Sequence, residues 1–222
     1  MIKSLIFDFD GLICDTETPE LEAWKSIFDD LGYSFPLEEY LKSIGSTYND
    51  LSPLRFLKEM SSKKIDMDAI AAVFKSRKIE LINQEPLMPC VKQYLDDAKS
   101  SNINIGLASS SPFEWIDHHL RRLDIMDYFD CIITANDVQK TKPDPALFIK
   151  AAQSLKSNPE EVLALEDSTN GVTAALQAGI YVVVVPNPVT ANFNFDNAHI
   201  VISSLCDLPL KSLLHKFDNL PL

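Results

Sequence analysis

The chain has 222 residues, of which 46% are hydrophobic and 23% are charged, as in an ordinary globular protein. Its formal net charge of −12 argues against binding to nucleic acid or to an anionic membrane surface. No apolar run approaches the roughly 18 residues that a membrane span needs, and the N-terminus lacks the pattern of a signal peptide. These features predict a cytoplasmic protein with one sizeable domain and a smaller one.

The four cysteines are scattered along the chain and form no C-x-x-C pair, so the spacing typical of zinc and redox sites is absent. They are Cys14, Cys90, Cys131 and Cys206. We expect all four to be buried thiols in a reducing compartment.

An apolar run from Ile2 to Phe9 predicts the first strand. From Pro19 the apolar spacing becomes helical, and no strand pattern follows until after the proline-rich link at 84–89. The helices predicted in this part lie near residues 19–31, 37–44, 51–60 and 67–82. In the last of them, Ile70, Val73 and Phe74 are expected to face inward. The pattern indicates an all-helical insertion.

After the link, strand and helix patterns alternate to the end of the chain. Strands are predicted near 103–108, 131–134, 162–165, 180–185 and 199–202. Helices are predicted near 91–99, 112–123, 143–155, 168–178 and 208–216. This alternation predicts a doubly wound parallel α/β sheet, a Rossmann-like core, formed by residues 1–15 and 88–222. Residues 16–87 are expected to form a small helical cap domain inserted after the first strand.

The first predicted strand ends in two aspartates, Asp8 and Asp10, which lie two residues apart and therefore on one face of a strand. Two carboxylates at the end of a buried strand are costly to place, and a divalent cation would relieve their repulsion. Gly11 permits the turn that must follow. The alternative for such a pair is two solvated loop residues.

Three further polar groups lie at or near the predicted ends of later strands. Ser109, with the amide of Ser110 at a helix start, can hold an anionic oxygen, or it can simply cap the helix. Lys142 precedes a proline that fixes its backbone; a solvated lysine is the alternative. Glu166 and Asp167 repeat the first pair, or act as helix N-terminal acids. Together, at one sheet edge, these groups form the set that phosphoryl transfer through a carboxylate nucleophile needs.

In all four motifs the chain resembles the haloacid dehalogenase superfamily, and its helical cap is similar to that of the beta-phosphoglucomutase-like and phosphoglycolate-phosphatase-like subgroup. The motifs are Asp8-Phe9-Asp10-Gly11, Ser109, Lys142-Pro143 and Glu166-Asp167-Ser168. The resemblance implies a magnesium-dependent phosphatase that acts on a small phosphorylated metabolite, such as a sugar phosphate, through an aspartyl phosphate. The acid at Asp10 excludes true haloacid dehalogenases and phosphonatases, which lack one there.

The same resemblance implies a role for each motif residue. Asp8 is the nucleophile, and Asp10 is the general acid and base. The implied ligands of Mg²⁺ are Asp8, the backbone carbonyl of Asp10 and Asp167, with Glu166 as a further ligand or an outer support. The implied phosphate-binding groups are Ser109, the amide of Ser110 and Lys142.

The cap departs from the sugar phosphomutases that it resembles. Those enzymes carry a histidine where this chain has Glu20, and a basic residue in the turn that reads Ser46–Asn49 here. The departure favours hydrolysis, and a sugar phosphomutase stays the alternative. The cap groups expected to bind the leaving group of the substrate are Glu20, Gly45, Ser46 and a base that is Lys75, Arg77 or Lys78.

A third hypothesis is a non-catalytic regulator that keeps the fold and binds a ligand or a protein. Lost motif residues would be its sign, and all four motifs are complete. The cap over the site also favours a monomer, with a small phosphorylated molecule as the partner of the protein.

Overall fold

The computed structural model describes residues 1–43, 53–61 and 65–218. The chain divides into two compact units, one formed by Met1–Cys14 with Pro86–Leu222 and the other by Asp15–Glu85. Among the described residues, no helix is both long enough and apolar enough to cross a membrane.

The first unit is built on one parallel sheet of six strands, in the order β3-β2-β1-β4-β5-β6. The strands are β1 (Ser4–Phe7), β2 (Asn104–Ala108), β3 (Cys131–Ile133), β4 (Val162–Glu166), β5 (Tyr181–Val184) and β6 (Ile200–Val201). β1 pairs with β2 on one side and with β4 on the other. The carboxyl end of β1 is therefore a topological switch point, where ligands bind in sheets of this kind. The predicted doubly wound fold is confirmed.

Helices follow the strands of this unit and cover the sheet. They are α5 (Val91–Ser100), α6 (Phe113–Arg122), α7 (Ala146–Ser154), α8 (Thr169–Gln177) and α9 (Leu210–His215). α7 and α8 contribute Phe148 and Ala174 to a buried cluster that also holds Ile6 and Val182 of the sheet. Strands β1, β4 and β5 are buried along their whole length, as expected of central strands in a parallel sheet.

In the described part of the second unit, the regular elements are all helices. Its helices are α1 (Glu17–Asp30), α2 (Leu37–Ser43), α3 (Pro53–Met60) and α4 (Met67–Ile82). Trp24, Phe28 and Leu57 are buried in its core, and Phe74 of α4 stacks on Trp24 with 4.0 Å between the ring centroids. The side chain of Asp66 caps α4 by accepting hydrogen bonds from two backbone N–H groups.

One residue of α4 was assigned to the wrong face. Ile70 and Phe74 pack against the core of the second unit, but Val73 is 41% exposed. Successive residues of an α-helix are about 100° apart around its axis, so Val73 lies about 100° away from Phe74. An apolar residue at that angle reaches the edge of the buried face and not its centre.

The cysteine prediction is wrong for two of the four residues. Cys90 and Cys206 form a disulfide across 116 residues of sequence, with 5.3 Å between their Cα atoms. Cys14 and Cys131 are free, the first buried and the second half-buried. Spacing along the chain cannot reveal the bonded pair, because it is the fold that brings the start of α5 beside the segment that precedes α9.

Candidate active site

Three buried carboxylates lie side by side at the carboxyl ends of β1 and β4. Asp8 follows β1, Glu166 is the last residue of β4, and Asp167 comes next. One carboxylate oxygen of each residue lies within 4.8 Å of the others. The parallel pairing of the two strands sets this arrangement, since the N–H of Asp8 donates to the carbonyl of Leu165 at 3.0 Å. The structure thus brings together acids that the sequence places 158 residues apart.

Lys142 reaches this cluster from the segment between β3 and α7. Its ammonium contacts Asp8 Oδ1 and forms an ion pair with Glu166 Oε1 at 2.6 Å, and its side chain is 5% exposed. The ring of Phe148 lies 5.1 Å from the ammonium. Burial by itself lowers the pKa of Lys142, but the Asp8 and Glu166 carboxylates outweigh burial and raise that pKa above its usual range. Lys142 is therefore a charged, buried lysine and not a solvated one.

The cluster carries more negative than positive charge. Burial raises the pKa of Asp8 well above its usual range, Glu166 and Asp10 raise it further, and Lys142 opposes them. The Lys142 ammonium contacts two of the three carboxylates, those of Asp8 and Glu166. Excess negative charge on converging oxygens suits a hard divalent cation, which would favour the ionised form of Asp8. The donor set fits Mg²⁺.

The other oxygen of Glu166 is fixed by the start of α8. Glu166 Oε2 accepts hydrogen bonds from the N–H of Asp167 at 3.1 Å, the N–H of Ser168 at 3.3 Å and the hydroxyl of Ser168 at 3.1 Å. Gly171, in the first turn of the helix, leaves space for the carboxyl group, because a Cβ there would lie 1.9 Å from Glu166 Cδ. The glycine is thus required by the close approach of the acid.

Gly171→Ala is expected to lower the free energy of unfolding by about 2–3 kcal/mol, although alanine favours a helix by about 1 kcal/mol. The added Cβ would displace the Glu166 carboxyl group and break its hydrogen bonds and ion pair. Chemical denaturation measures the change. Thr173→Ala, at an exposed position of the same helix, is the control and should change stability by less than about 0.5 kcal/mol. A stable Gly171→Ala protein would mean that Glu166 does not occupy this position.

Asn187 is a site neighbour that the sequence did not indicate. Its side-chain N–H donates to Asp167 Oδ2 at 2.7 Å, and its own oxygen accepts from the N–H groups of Val189 and Thr190. Gly11, with φ of 82°, leaves room for this pair, since a Cβ there would lie 2.2 Å from Asp167 Oδ2. The only signal in the sequence is a proline on each side of the asparagine, which marks a turn.

Asp10 faces the segment that follows β2. The hydroxyl of Ser111 donates to Asp10 Oδ2 at 2.7 Å and that of Ser109 to the same oxygen at 3.3 Å, while the indole N–H of Trp115 donates to Oδ1 at 3.0 Å. Ser109 is buried and also accepts from the N–H of Ser111, whereas Ser110 is exposed. Ser111 and Trp115 are further site residues that sequence reasoning missed.

The cap residues expected to bind substrate have partners within the second unit. Arg77 donates to the hydroxyl of Ser26 at 2.8 Å and to Asp30 Oδ2 at 2.5 Å. Lys78 contacts Glu20. The role of these residues in substrate binding stays a prediction. Two other predicted positions lie outside the described residues, namely Gly45 and Ser46.

A parallel sheet whose switch point carries buried acids and a buried lysine defines an α/β enzyme with an acidic centre. The family profile of haloacid dehalogenase-like hydrolases matches residues 5–185. The chain therefore belongs to the haloacid dehalogenase-like hydrolases, as its motifs predicted.

Relatives of this chain extend over nearly its whole length. It is 41% identical over 219 residues, 99% of each chain, to YhcW of Bacillus subtilis (strain 168), whose name assigns it provisionally to the phosphatases. It is 30% identical to hexitol phosphatase B of Escherichia coli (strain K12), over 96% of this chain and 97% of that protein. A crystal structure of beta-phosphoglucomutase from Clostridium difficile shares 30% identity at a TM-score of 0.74, over 98% of each chain. The chain is an enzyme, a phosphatase of this family.

Proposed function

We propose that the protein is a magnesium-dependent phosphatase that releases inorganic phosphate from a small phosphorylated metabolite of the sugar phosphate class. The observation that carries the proposal is the contact of the buried Asp8 carboxylate with Lys142 beside Glu166 and Asp167. Burial raises the pKa of the Asp8 carboxyl group, but the ammonium lowers it and so favours the ionised form, which is the nucleophilic one. The similarity to hexitol phosphatase B supports the substrate class.

The reaction has two steps, and both take place at phosphorus. In the first, a carboxylate oxygen of Asp8 attacks phosphorus and the bond from phosphorus to the substrate oxygen breaks. Asp10 gives its proton to that leaving oxygen. In the second step Asp10 takes a proton from a water molecule, whose oxygen attacks phosphorus and displaces Asp8. The products are the alcohol and inorganic phosphate, and both aspartates return to their starting states.

The negative charge of the phosphoryl group that is transferred is offset by groups of this chain and by the cation. The groups proposed to hold the phosphoryl oxygens are Ser109, the amide of Ser110 and Lys142. The groups proposed to hold Mg²⁺ are Asp8, Asp167, the backbone carbonyl of Asp10 and, directly or as support, Glu166. When bound, the cation supplies positive charge that offsets the charge of the phosphoryl oxygens. Asn187 orients Asp167 through the hydrogen bond to Oδ2.

Phosphate release tests the proposal. Purified protein is assayed with hexitol phosphates, sugar phosphates, nucleoside monophosphates and phosphoglycolate, each with Mg²⁺ and with a chelator. We expect release from at least one sugar or hexitol phosphate with Mg²⁺ and its loss with the chelator. Phosphate release that persists in the chelator would contradict the proposed requirement for Mg²⁺. The absence of release from every compound would contradict the proposed phosphatase activity.

A sugar phosphomutase is the second candidate, because the chain is 30% identical to a beta-phosphoglucomutase of known structure. Such an enzyme shares the nucleophile but returns the phosphoryl group to a sugar. It would convert beta-glucose 1-phosphate in the presence of a sugar bisphosphate primer, with little free phosphate. We expect hydrolysis instead, because Glu20 stands where the mutases carry a histidine.

A further inference from the structure

The Asp10 carboxylate, which the proposed function uses as the general acid and base, has two oxygens in different surroundings. Oδ1 accepts one hydrogen bond, from the indole N–H of Trp115 at 3.0 Å. Oδ2 faces two hydroxyl groups, that of Ser111 at 2.7 Å and that of Ser109 at 3.3 Å. This asymmetry is a property of the residues in the first turn of α6 and of the segment before it.

The two kinds of partner differ in what they allow. An indole N–H can only donate a hydrogen bond, whereas a serine hydroxyl can donate or accept one. The direction of the indole N–H is fixed by the ring, whereas a hydroxyl hydrogen rotates to suit its partner. The hydrogen bond from Trp115 therefore restrains Asp10 Oδ1 more firmly than the serine hydroxyls restrain Oδ2.

We propose that Trp115 is a positioning residue that fixes the orientation of the Asp10 carboxyl group through its hydrogen bond to Oδ1. This inference rests on the proposed function, since it assigns the residue that positions the general acid and base. Trp115 itself touches Asp10 and not the reacting phosphorus.

The position of Trp115 is itself well supported. The ring of His119 packs edge-on against the indole with 4.2 Å between centroids and lies 5.9 Å from the ring of Phe9. Burial lowers the pKa of His119 to about 4, with Arg122 and His118 acting in the same direction. The imidazole is thus neutral near pH 7, so no imidazolium competes with the indole for the Asp10 carboxylate. A side chain held on a helix by packing keeps its geometry better than one on a loop.

The dependence on the leaving group tests the proposal. First-turnover rates are measured by rapid mixing for sorbitol 6-phosphate, whose alkoxide needs a proton to leave, and for p-nitrophenyl phosphate, whose nitrophenolate does not. In Trp115→Phe we expect the first rate to fall by about 30-fold and the second by less than about 3-fold, since general acid catalysis contributes about 10²–10⁴-fold. Trp24→Phe, a matched change in the core of the second unit, should leave the ratio of the two rates unchanged.

The outcomes separate the proposal from its alternatives. Equal losses with both substrates would show a merely structural role for Trp115, and no loss with either would overturn the proposal outright. If the wild type turns over neither compound, the proposed function fails, and the hydrogen bond is then tested alone.

Nuclear magnetic resonance provides that separate test. It can also be used if the Trp115→Phe protein does not fold, because it needs no substitution of Trp115. The chain has two tryptophans, and their indole N–H groups give two resonances in the ¹⁵N-labelled protein. Asp10→Ala should shift the resonance of Trp115 and leave that of Trp24 in place. A Trp115 resonance that does not move would mean that the indole does not hold Asp10.

Discussion

Asp8→Asn is expected to lower phosphate release by at least about 10⁴-fold while the protein remains folded. An amide has nearly the shape of a carboxylate, but its oxygen is a poor nucleophile. The substitution also removes one negative charge from a cluster that already has an excess, so the free energy of unfolding should stay the same or rise. Loss of activity with retained stability is the signature of a nucleophile.

The measurement combines phosphate release with thermal unfolding. Asp127→Asn is a matched control, because Asp127 is exposed and follows α6 on the surface of the first unit. It should leave both quantities unchanged. If Asp8→Asn retained more than about a tenth of the activity, the covalent route would be wrong, since an amide cannot replace a nucleophilic carboxylate.

Lys142→Met is expected to reduce turnover by about 10³-fold and to lower the free energy of unfolding by about 3 kcal/mol when measured in a chelator. Methionine fills much of the same volume but brings no charge, so the buried Asp8 and Glu166 carboxylates lose the ammonium that they contact. Mg²⁺ should recover part of the lost stability, because it is another cation in the same cluster. Denaturation curves with chelator and with Mg²⁺ measure both effects.

The pH dependence of this variant follows from Asp8. A carboxyl group whose pKa is raised in the folded state binds a proton more tightly there than in the unfolded chain. The stability that Asp8 contributes is therefore fully present below its ordinary pKa and is lost as the pH rises through the raised pKa. Removing Lys142 raises that pKa further, and the metal-free variant should lose stability most steeply with rising pH. Lys140→Met, at an exposed position two residues earlier, is the control and should match the wild type.

The position of the acids at the strand ends could be predicted from the sequence, because it depends only on the topology of the sheet. Once β1 and β4 are recognised as neighbours in a parallel sheet, the carboxyl groups of Asp8 and Glu166 must meet at one edge. Lys142 lies beyond the end of β3, in the segment before α7, so its contact with Asp8 depends on the path of that segment as well. The helices and strands could also be predicted from the periodicity of the apolar residues. The helix α4, for example, has the predicted bounds of Met67 and Ile82.

What could not be predicted depends on side-chain geometry. Trp115 contacts Asp10 across 105 residues of sequence, and Asn187 contacts Asp167 across 20, so only the folded chain brings each pair together. The prolines beside Asn187 mark a turn, but no pattern in the sequence shows which residue Asn187 or Trp115 contacts. Local bonding also moves helix ends. α7 begins at Ala146 and not at Pro143, because the side chain of Asp144 accepts the N–H of Ala146 and shapes the turn before it.

The central position of β1 has a consequence for the order in which the molecule is assembled. Ser4 in β1 is paired with Asn104 on one side and with Val162 on the other, so the strand that precedes Asp8 is synthesised before both of its neighbours. The helices of residues 15–85 have contacts that are close in sequence and can form while the remainder of the chain is still being made. The two halves of the acidic centre can meet only after Glu166 has left the ribosome. A nascent chain that ends before Glu166 therefore lacks two of the three acids of the cluster.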